Sequence, residues 1–277
     1  SVRETASALE KECAEIICLP NDRNGIIRFS ALERALTPET VLVSIIYVNN
    51  ETGTIQPIRE IARIIGNWKL KIGNSRRYPL FHTDAVQAFQ YLDCNPDRLG
   101  VDLLTLSAHK IYGPKGNGLL YVRDRSMLAP IITGGGQEDG LRSGTENTAG
   151  IIGFAEAIKN ADARRAQESR RLHALRAYAI QRMAKTFSRV RLNNPSTQSA
   201  PHILNFLFPG ITGHELVIWL DQQGIAASVG SACSSRRAEL SKGVRFSMGR
   251  ETTRRALDRL IRALTIIEKR SGARWSS

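Results

Sequence analysis

Residues 101–122 read VDLLTLSAHKIYGPKGNGLLYV, and this stretch decides the fold class. Two short apolar runs, VDLLTLS and GLLYV, flank a polar turn built on Gly-Pro-Lys-Gly. Short apolar runs bounded by Gly and Asp read as strands rather than helices, because they are too brief for helical periodicity and end on turn residues. Upstream, VLVSIIYV (41–48) has the near-continuous apolar character of a buried strand, and PLFHTD (79–84) reads as another. Between those two, Ile58, Ile61, Ile64 and Ile65 recur at helical spacing behind Pro57, a residue pre-set for the first turn of a helix. Strands alternating with helices predict an α/β fold, a mainly parallel sheet covered by helices.

Downstream the pattern changes. From about Gly150 a long helix is expected, with Leu172, Leu175, Ala179 and Met183 on one face and arginines on the other. HILNFLF (202–208), a helix from His214 through Leu220, GIAAS and a basic C-terminal helix then predict a smaller α+β domain. The expected division is a large domain over 1–150 and, over 151–277, a linker helix with the small domain. The segment WKLKIGNSRRYPL (68–80) reads as a basic surface insertion, and no internal repeat is present.

With 277 residues, 42% of them hydrophobic and 23% charged, the chain is long enough to bury a large core. No apolar run approaches the roughly 20 residues needed to cross a bilayer, and no signal-like segment opens the sequence. The four cysteines, at 13, 18, 94 and 233, are too sparse for a disulfide scaffold and lack the paired spacing of structural zinc sites. No metal site is expected, and a reduced, cytoplasmic setting fits. The net charge of +13 suits acidic partners or nucleic acid. In the C-terminal segment Arg254, Arg255, Arg259, Arg262, Lys269, Arg270 and Arg274 are interleaved with Leu257, Leu260, Ile261, Leu264 and Ile267 at helical spacing. That is the pattern of a solvated helix face, and the absence of base-stacking aromatics argues against nucleic acid.

In open α/β sheets ligands bind beyond the carboxyl ends of the strands. Asn49, Asn50, Asp84, Gln87, Ser107, His109 and Lys110 all fall there. Lys110, after a strand and among apolar residues, suits a Schiff-base former whose pKa is lowered by desolvation, and equally a surface lysine. Asp84 can pair with a pyridinium nitrogen or cap a helix. GGGQEDGLRSGTEN (134–147), with Arg142, Ser143 and Thr145, can present N–H groups and hydroxyls to a phosphate or form a plain surface loop. Cys233, in GSACSSRRAELSK (230–242), is set among small residues that favour an exposed loop. The same residue type also serves as a small buried hydrophobe.

Six stretches in order carry a resemblance: VSIIYVNNETGTIQPI, FHTDAVQ, SAHKIYGPKGNGLLYVR, GGGQEDGLRSGTENTAGIIGFAEAI, SVGSACSS and VRFSMGRETT. Together they resemble the cysteine desulfurases, specifically the iron–sulfur and nitrogen-fixation group of the class-V aminotransferase-like enzymes. The resemblance implies the fold-type-I architecture of pyridoxal 5'-phosphate enzymes. It implies conversion of L-cysteine to L-alanine, with the sulfur held as a persulfide for transfer to iron–sulfur cluster assembly or other acceptors. It makes Lys110 the cofactor-anchoring lysine, Asp84 the partner of the pyridine nitrogen and Gln87 a donor to the phenolic oxygen. Ser107 and His109 would hold the phosphate, and Thr145 would reach the phosphate of the other subunit in a homodimer. Asn50 would lie near the cofactor and the substrate carboxylate, Arg245 would clamp that carboxylate, and Cys233 would carry the persulfide. Arg236 and Arg237, close in sequence to Cys233, would favour its thiolate. Sulfur-acceptor or iron–sulfur scaffold proteins are the implied partners.

Two departures accompany the resemblance. The family carries an N-terminal portion with a Gly-Ala-Thr phosphate loop and a histidine that stacks on the pyridine ring; the match starts just after it, at SVRETASALEKE, so the expectation is either a piece of a longer protein or a chain lacking that portion. Only eleven residues separate Cys233 from Arg245, fewer than the family's loop holds. Two further readings follow: a non-catalytic fragment that binds acidic assembly partners, and a selenocysteine lyase, which depends less on an enzyme thiol.

Overall fold

The structure, a computed structural model, describes residues 2–12, 14–73, 78–230 and 243–276. Cys13, the 74–77 part of the expected basic insertion and the 231–242 stretch containing Cys233, Arg236 and Arg237 lie outside the described residues. By compactness the chain divides into two units. One comprises Ser1–Ala35, Asn49–Ile55 and Glu168–Ser277; the other comprises Leu36–Val48 and Gln56–Gln167.

The Leu36–Val48 and Gln56–Gln167 unit is built on a four-stranded sheet. Its strands are β1 (Leu42–Ile46), β2 (Leu80–Asp84), β3 (Leu103–Ser107) and β4 (Gly118–Val122), adjacent in that order. β1, β2 and β3 run parallel, with Ser44 beside His82, Ile46 beside Asp84 and Asp84 beside Thr105. β4 returns antiparallel to β3, as a connection too short for a crossover requires. This is the α/β architecture with a mainly parallel sheet. β1 is less buried than a wholly apolar run implies: Val41 and Leu42 are exposed, because among the described residues β1 stands at the sheet edge.

The isoleucine pattern behind Pro57 becomes a helix, Ile58–Lys71, that buries Ile58, Ile61 and Ile65, with Lys69 and Lys71 in its last turn where the helix dipole favours cations. A one-turn helix, Pro96–Leu99, shows why a short piece still forms. Asn95 Oδ1 accepts from Arg98 N, Pro96 sits in the first turn, and Gly100 ends the turn at φ 72°, with an added Cβ there only 2.9 Å from Ala62 Cβ.

In the other unit, Val2–Leu9 and Phe29–Ala35 are short helices. A second antiparallel sheet has the order β5 (Arg191–Leu192), β6 (Ile203–Leu207), β8 (Gly243–Ser247), β7 (Ser228–Val229). The long helix Thr148–Thr186 contributes its later turns to this unit, and Leu172, Leu175, Ala179 and Met183 are buried as their spacing predicts. The helix Gly213–Gln222 starts on Thr212, whose Oγ1 accepts from Glu215 N. The basic helix Arg254–Ser271 starts on Thr253 and buries Leu257, Leu260, Ile261, Leu264 and Ile267, which leaves its cations on the outer face. Trp275 is fully buried, meets Phe187 and Phe208 edge-on and donates from its indole N–H to Pro209 O. Among the described residues no helix is long and apolar enough to cross a membrane.

Candidate active site

Within the parallel-sheet unit, the candidate residues gather at the carboxyl ends of β2 and β3. On β2, Phe81 and Thr83 are buried on one face while His82 and Asp84 are half-buried on the other, the alternation that a pleated strand imposes. Asp84, the last residue of the strand, accepts from Val86 N through Oδ1 at 3.0 Å. It therefore closes the turn that follows; among the described residues no helix starts there for it to cap. Gln87 is half-buried within that turn.

Ser107 ends β3, and its Oγ lies 2.9 Å from His109 Nδ1. The chain then tightens into a 3-10 turn, Ala108–Ile111. Gly113 is packed so closely there that an added Cβ would lie 3.0 Å from Ala108 O and 3.1 Å from Ala157 Cβ. Ala108 and Ile111 take the buried positions of the turn, and Lys110 is exposed. Among the described residues the apolar setting expected for Lys110 from its neighbours in sequence does not form, because a 3-10 turn sends successive side chains in different directions. The carbonyl of Lys110 accepts from Gln90 Nε2 at 2.6 Å, which ties the turn after β3 to the segment after β2.

His82 was not singled out from the sequence. Its Nδ1 lies 2.8 Å from Ser44 Oγ on β1 and its Nε2 lies 2.8 Å from Thr105 Oγ1 on β3. One imidazole thus joins three parallel strands just below Asp84. Burial lowers its pKa, and the negative charge of Asp84 opposes that shift. The signal in the sequence was a histidine on the polar face of a strand, two residues before a candidate carboxylate.

The 134–147 stretch directs part of its polarity inward. Gly144 N donates to Gln137 Oε1, Ser143 N donates to Ile132 O, and Ser143 is buried. Thr145 is exposed.

In the other unit the structure joins Asn50 to Arg245. The Asn49–Thr54 turn is shaped by Asn49, whose Oδ1 accepts from Glu51 N, Thr52 N and Thr52 Oγ1. Arg245, on β8, donates from Nη1 to Asn50 O at 2.8 Å. Its Nε is buried without a hydrogen-bond partner among the described residues. Burial lowers the Arg245 pKa, with Glu51 acting in the opposite direction. A buried guanidinium with an unused donor is suited to an anionic ligand, since an unpaired buried N–H is costly.

These side chains fit pyridoxal phosphate by the chemistry of their donor set. A primary amine, a carboxylate and a hydroxyl–imidazole pair stand at the ends of two neighbouring strands. Among the described residues no group of three or more His, Cys, Asp or Glu side chains is arranged to hold a metal ion.

Comparison with known proteins agrees with this chemistry. Residues 1–260 match the model of the aminotransferase class-V family. Over 97% of its length the chain is 41% identical to "Cysteine desulfurase IscS" of Dictyoglomus turgidum, covering 70% of that protein. The chain belongs to the cysteine desulfurase family of class-V aminotransferases. "Cysteine desulfurase IscS 1" of Archaeoglobus fulgidus is 37% identical over 97% of the chain and 72% of its own length. Among solved structures, one titled "NIFS-LIKE PROTEIN" superposes with a TM-score of 0.86 at 32% identity, over 97% of this chain and 72% of that one. Family membership and the α/β architecture thus agree with each other.

Proposed function

We propose that the chain is a pyridoxal-phosphate-dependent cysteine desulfurase that converts L-cysteine to L-alanine and retains the sulfur on Cys233. Family membership supports the reaction. The observation that carries the site is the placement of Asp84 at the end of β2 and of Ser107, His109 and Lys110 at the end of β3, two strands paired in parallel.

When bound, the cofactor supplies an electron sink that labilises bonds at the substrate α- and β-carbons. Lys110 would anchor it through the side-chain amine and afterwards serve as a proton carrier. Asp84 would pair with the ring nitrogen and Gln87 would donate to the phenolic oxygen. Ser107 and His109 would hold the phosphate, joined by Thr145 of the partner subunit in a homodimer. Arg245 and Asn50 receive the substrate carboxylate, for which a planar guanidinium is the matching donor.

Cys233 acts as its thiolate. It attacks the substrate sulfur, an S–S bond forms, and the substrate C–S bond breaks. The electron pair of that bond stays with carbon, which takes up a proton, and alanine leaves. The outer sulfur of the Cys233 persulfide then passes to a thiol of an acceptor or iron–sulfur scaffold protein. The sparse cysteines support a reducing, cytoplasmic setting for this chemistry.

Cysteine turnover with paired variants tests the reading. Cys233→Ser should keep the visible absorbance of the lysine-bound cofactor and lose sulfide release, whereas Lys110→Ala should lose the absorbance itself. Undiminished release from Cys233→Ser would remove the persulfide role. A wild-type chain that takes up no cofactor would favour the binding-fragment reading, and turnover of selenocysteine alone would change the substrate.

A further inference from the structure

The Asn49–Thr54 turn has a donor for every one of its six carbonyls. Gly53 N donates to Asn49 O, Ala200 N to Gly53 O, and Asn49 N to Thr54 O. The three in the middle are held by side chains of the same unit, two from the antiparallel sheet and one, Asn194, from the segment that follows β5. Arg245 Nη1 donates to Asn50 O at 2.8 Å, Asn205 Nδ2 to Glu51 O at 3.2 Å and Asn194 Nδ2 to Thr52 O at 2.6 Å. Three consecutive carbonyls are thus engaged by three side chains, and Asn205 stands directly opposite Arg245 in the register of β6 and β8.

The two asparagines are costly residues in this place. Asn205 is 2% exposed and lies between the buried Leu204 and Phe206, and Asn194 is 9% exposed. A buried amide in an apolar strand destabilises the fold unless its polar atoms are bonded. Here they are: Asn205 N donates to Asn194 Oδ1, Asn205 Oδ1 accepts from Asn193 Nδ2, and Asn194 Nδ2 also reaches Ile203 O. Behind them the buried Arg176 donates to that same Ile203 carbonyl at 2.7 Å. Gly243 is part of the same arrangement, because a Cβ there would collide with Asn205 Oδ1.

We propose that Asn205, backed by Asn194, is a positioning residue for substrate recognition: by holding the Asn49–Thr54 turn it fixes where the Asn50 carbonyl anchors the Arg245 guanidinium, the group assigned to the carboxylate of cysteine. This rests on the function proposed above. Arg245 finds its lateral position by bonding Asn50 O, and Asn50 O is located by the bonds that Asn205 and Asn194 make to the next two carbonyls. A two-pronged guanidinium–carboxylate contact tolerates little displacement, so losing the Asn205 donor moves the clamp without touching the ligand.

The test compares cysteine with cysteamine, which keeps the thiol and amine and lacks the carboxylate. In Asn205→Ser, KM for cysteine should rise about ten- to a hundredfold, the preference for cysteine over cysteamine should fall by a similar factor, and the absorbance of the lysine-bound cofactor should stay unchanged. A purely structural role would weaken both substrates alike and leave the preference intact, which would overturn the proposal. A second readout needs neither cofactor nor turnover. The Arg245 Nε–H resonance, assigned by its loss in Arg245→Lys, should shift and exchange with solvent faster in Asn205→Ser, while the Trp275 indole resonance reports an intact fold. If the wild-type chain shows no turnover, the proposed function fails and this resonance alone decides the inference, an unmoved signal overturning it. Should Asn205→Ser fail to fold, Asn194→Ser is put through the same comparison with the same expected and overturning results.

Discussion

Ser107 Oγ lies 2.9 Å from His109 Nδ1, so the polar side chains at the end of β3 and in the turn after it are joined to each other across the fully buried Ala108. Either residue therefore orients the other. Ser107→Ala and His109→Ala should each weaken cofactor binding about tenfold, the loss of one hydrogen bond to a charged group of about 1.5 kcal/mol. The double variant should lose less than the sum, because each single change already breaks the shared contact. Absorbance titration of the four proteins measures this, and strictly additive losses would mean that the pair does not act as a unit.

His82 makes stability pH-dependent. Its folded-state pKa lies below the ordinary value of 6.5 because of burial, so the unfolded chain takes up a proton more readily than the folded one. The stabilisation is fully present above the ordinary histidine range and is lost as pH falls through it toward the depressed folded value. Tm should drop between pH 7.5 and pH 5, and His82→Gln should show a lower Tm at pH 7.5 with a shallower decline. An identical slope in the variant would assign the pH dependence to other groups.

Cys94 should be chemically silent in the native protein. Burial pushes its thiol pKa up to about 12, so at pH 8 roughly one molecule in ten thousand carries the thiolate, the reactive form. Cys18 is exposed. Brief alkylation with iodoacetamide followed by peptide mass mapping should label Cys18 and spare Cys94, with Cys94 reacting only after denaturation. Equal labelling in the native protein would contradict the burial.

Trp275 anchors the C-terminal segment to its unit. Besides its contacts with Phe187, Phe208 and Pro209 O, its backbone N–H donates to Glu268 Oε1. Trp275→Ala should cost about 3–5 kcal/mol, the range for removing a large buried aromatic. Urea unfolding followed by far-UV circular dichroism reads the shift in midpoint. A change below 1 kcal/mol would mean that the cavity collapses freely.

Much of the fold was legible because it depends on local information. Apolar runs bounded by Gly, Pro and Asp marked β1 to β4, and the spacing of Ile58, Ile61 and Ile65 marked a helix face, since the pleat and the helical turn impose their own periods on the chain. The same logic put Asp84, Ser107, His109 and Lys110 at strand ends. It did not reveal that Lys110 is exposed among the described residues, because neighbours in sequence are not neighbours in space once a 3-10 turn intervenes.

By itself the sequence determined the succession of strands and helices, the family and the residue types at the strand ends, all of which follow from short-range pattern. Only the tertiary structure decided that Arg245 holds Asn50 across 195 positions and that Asn205 holds Glu51 across 154. It also decided that His82 bridges β1 and β3. Such pairings depend on strand register and on which buried donors remain to be satisfied once the sheets form, and no spacing along the chain records either quantity.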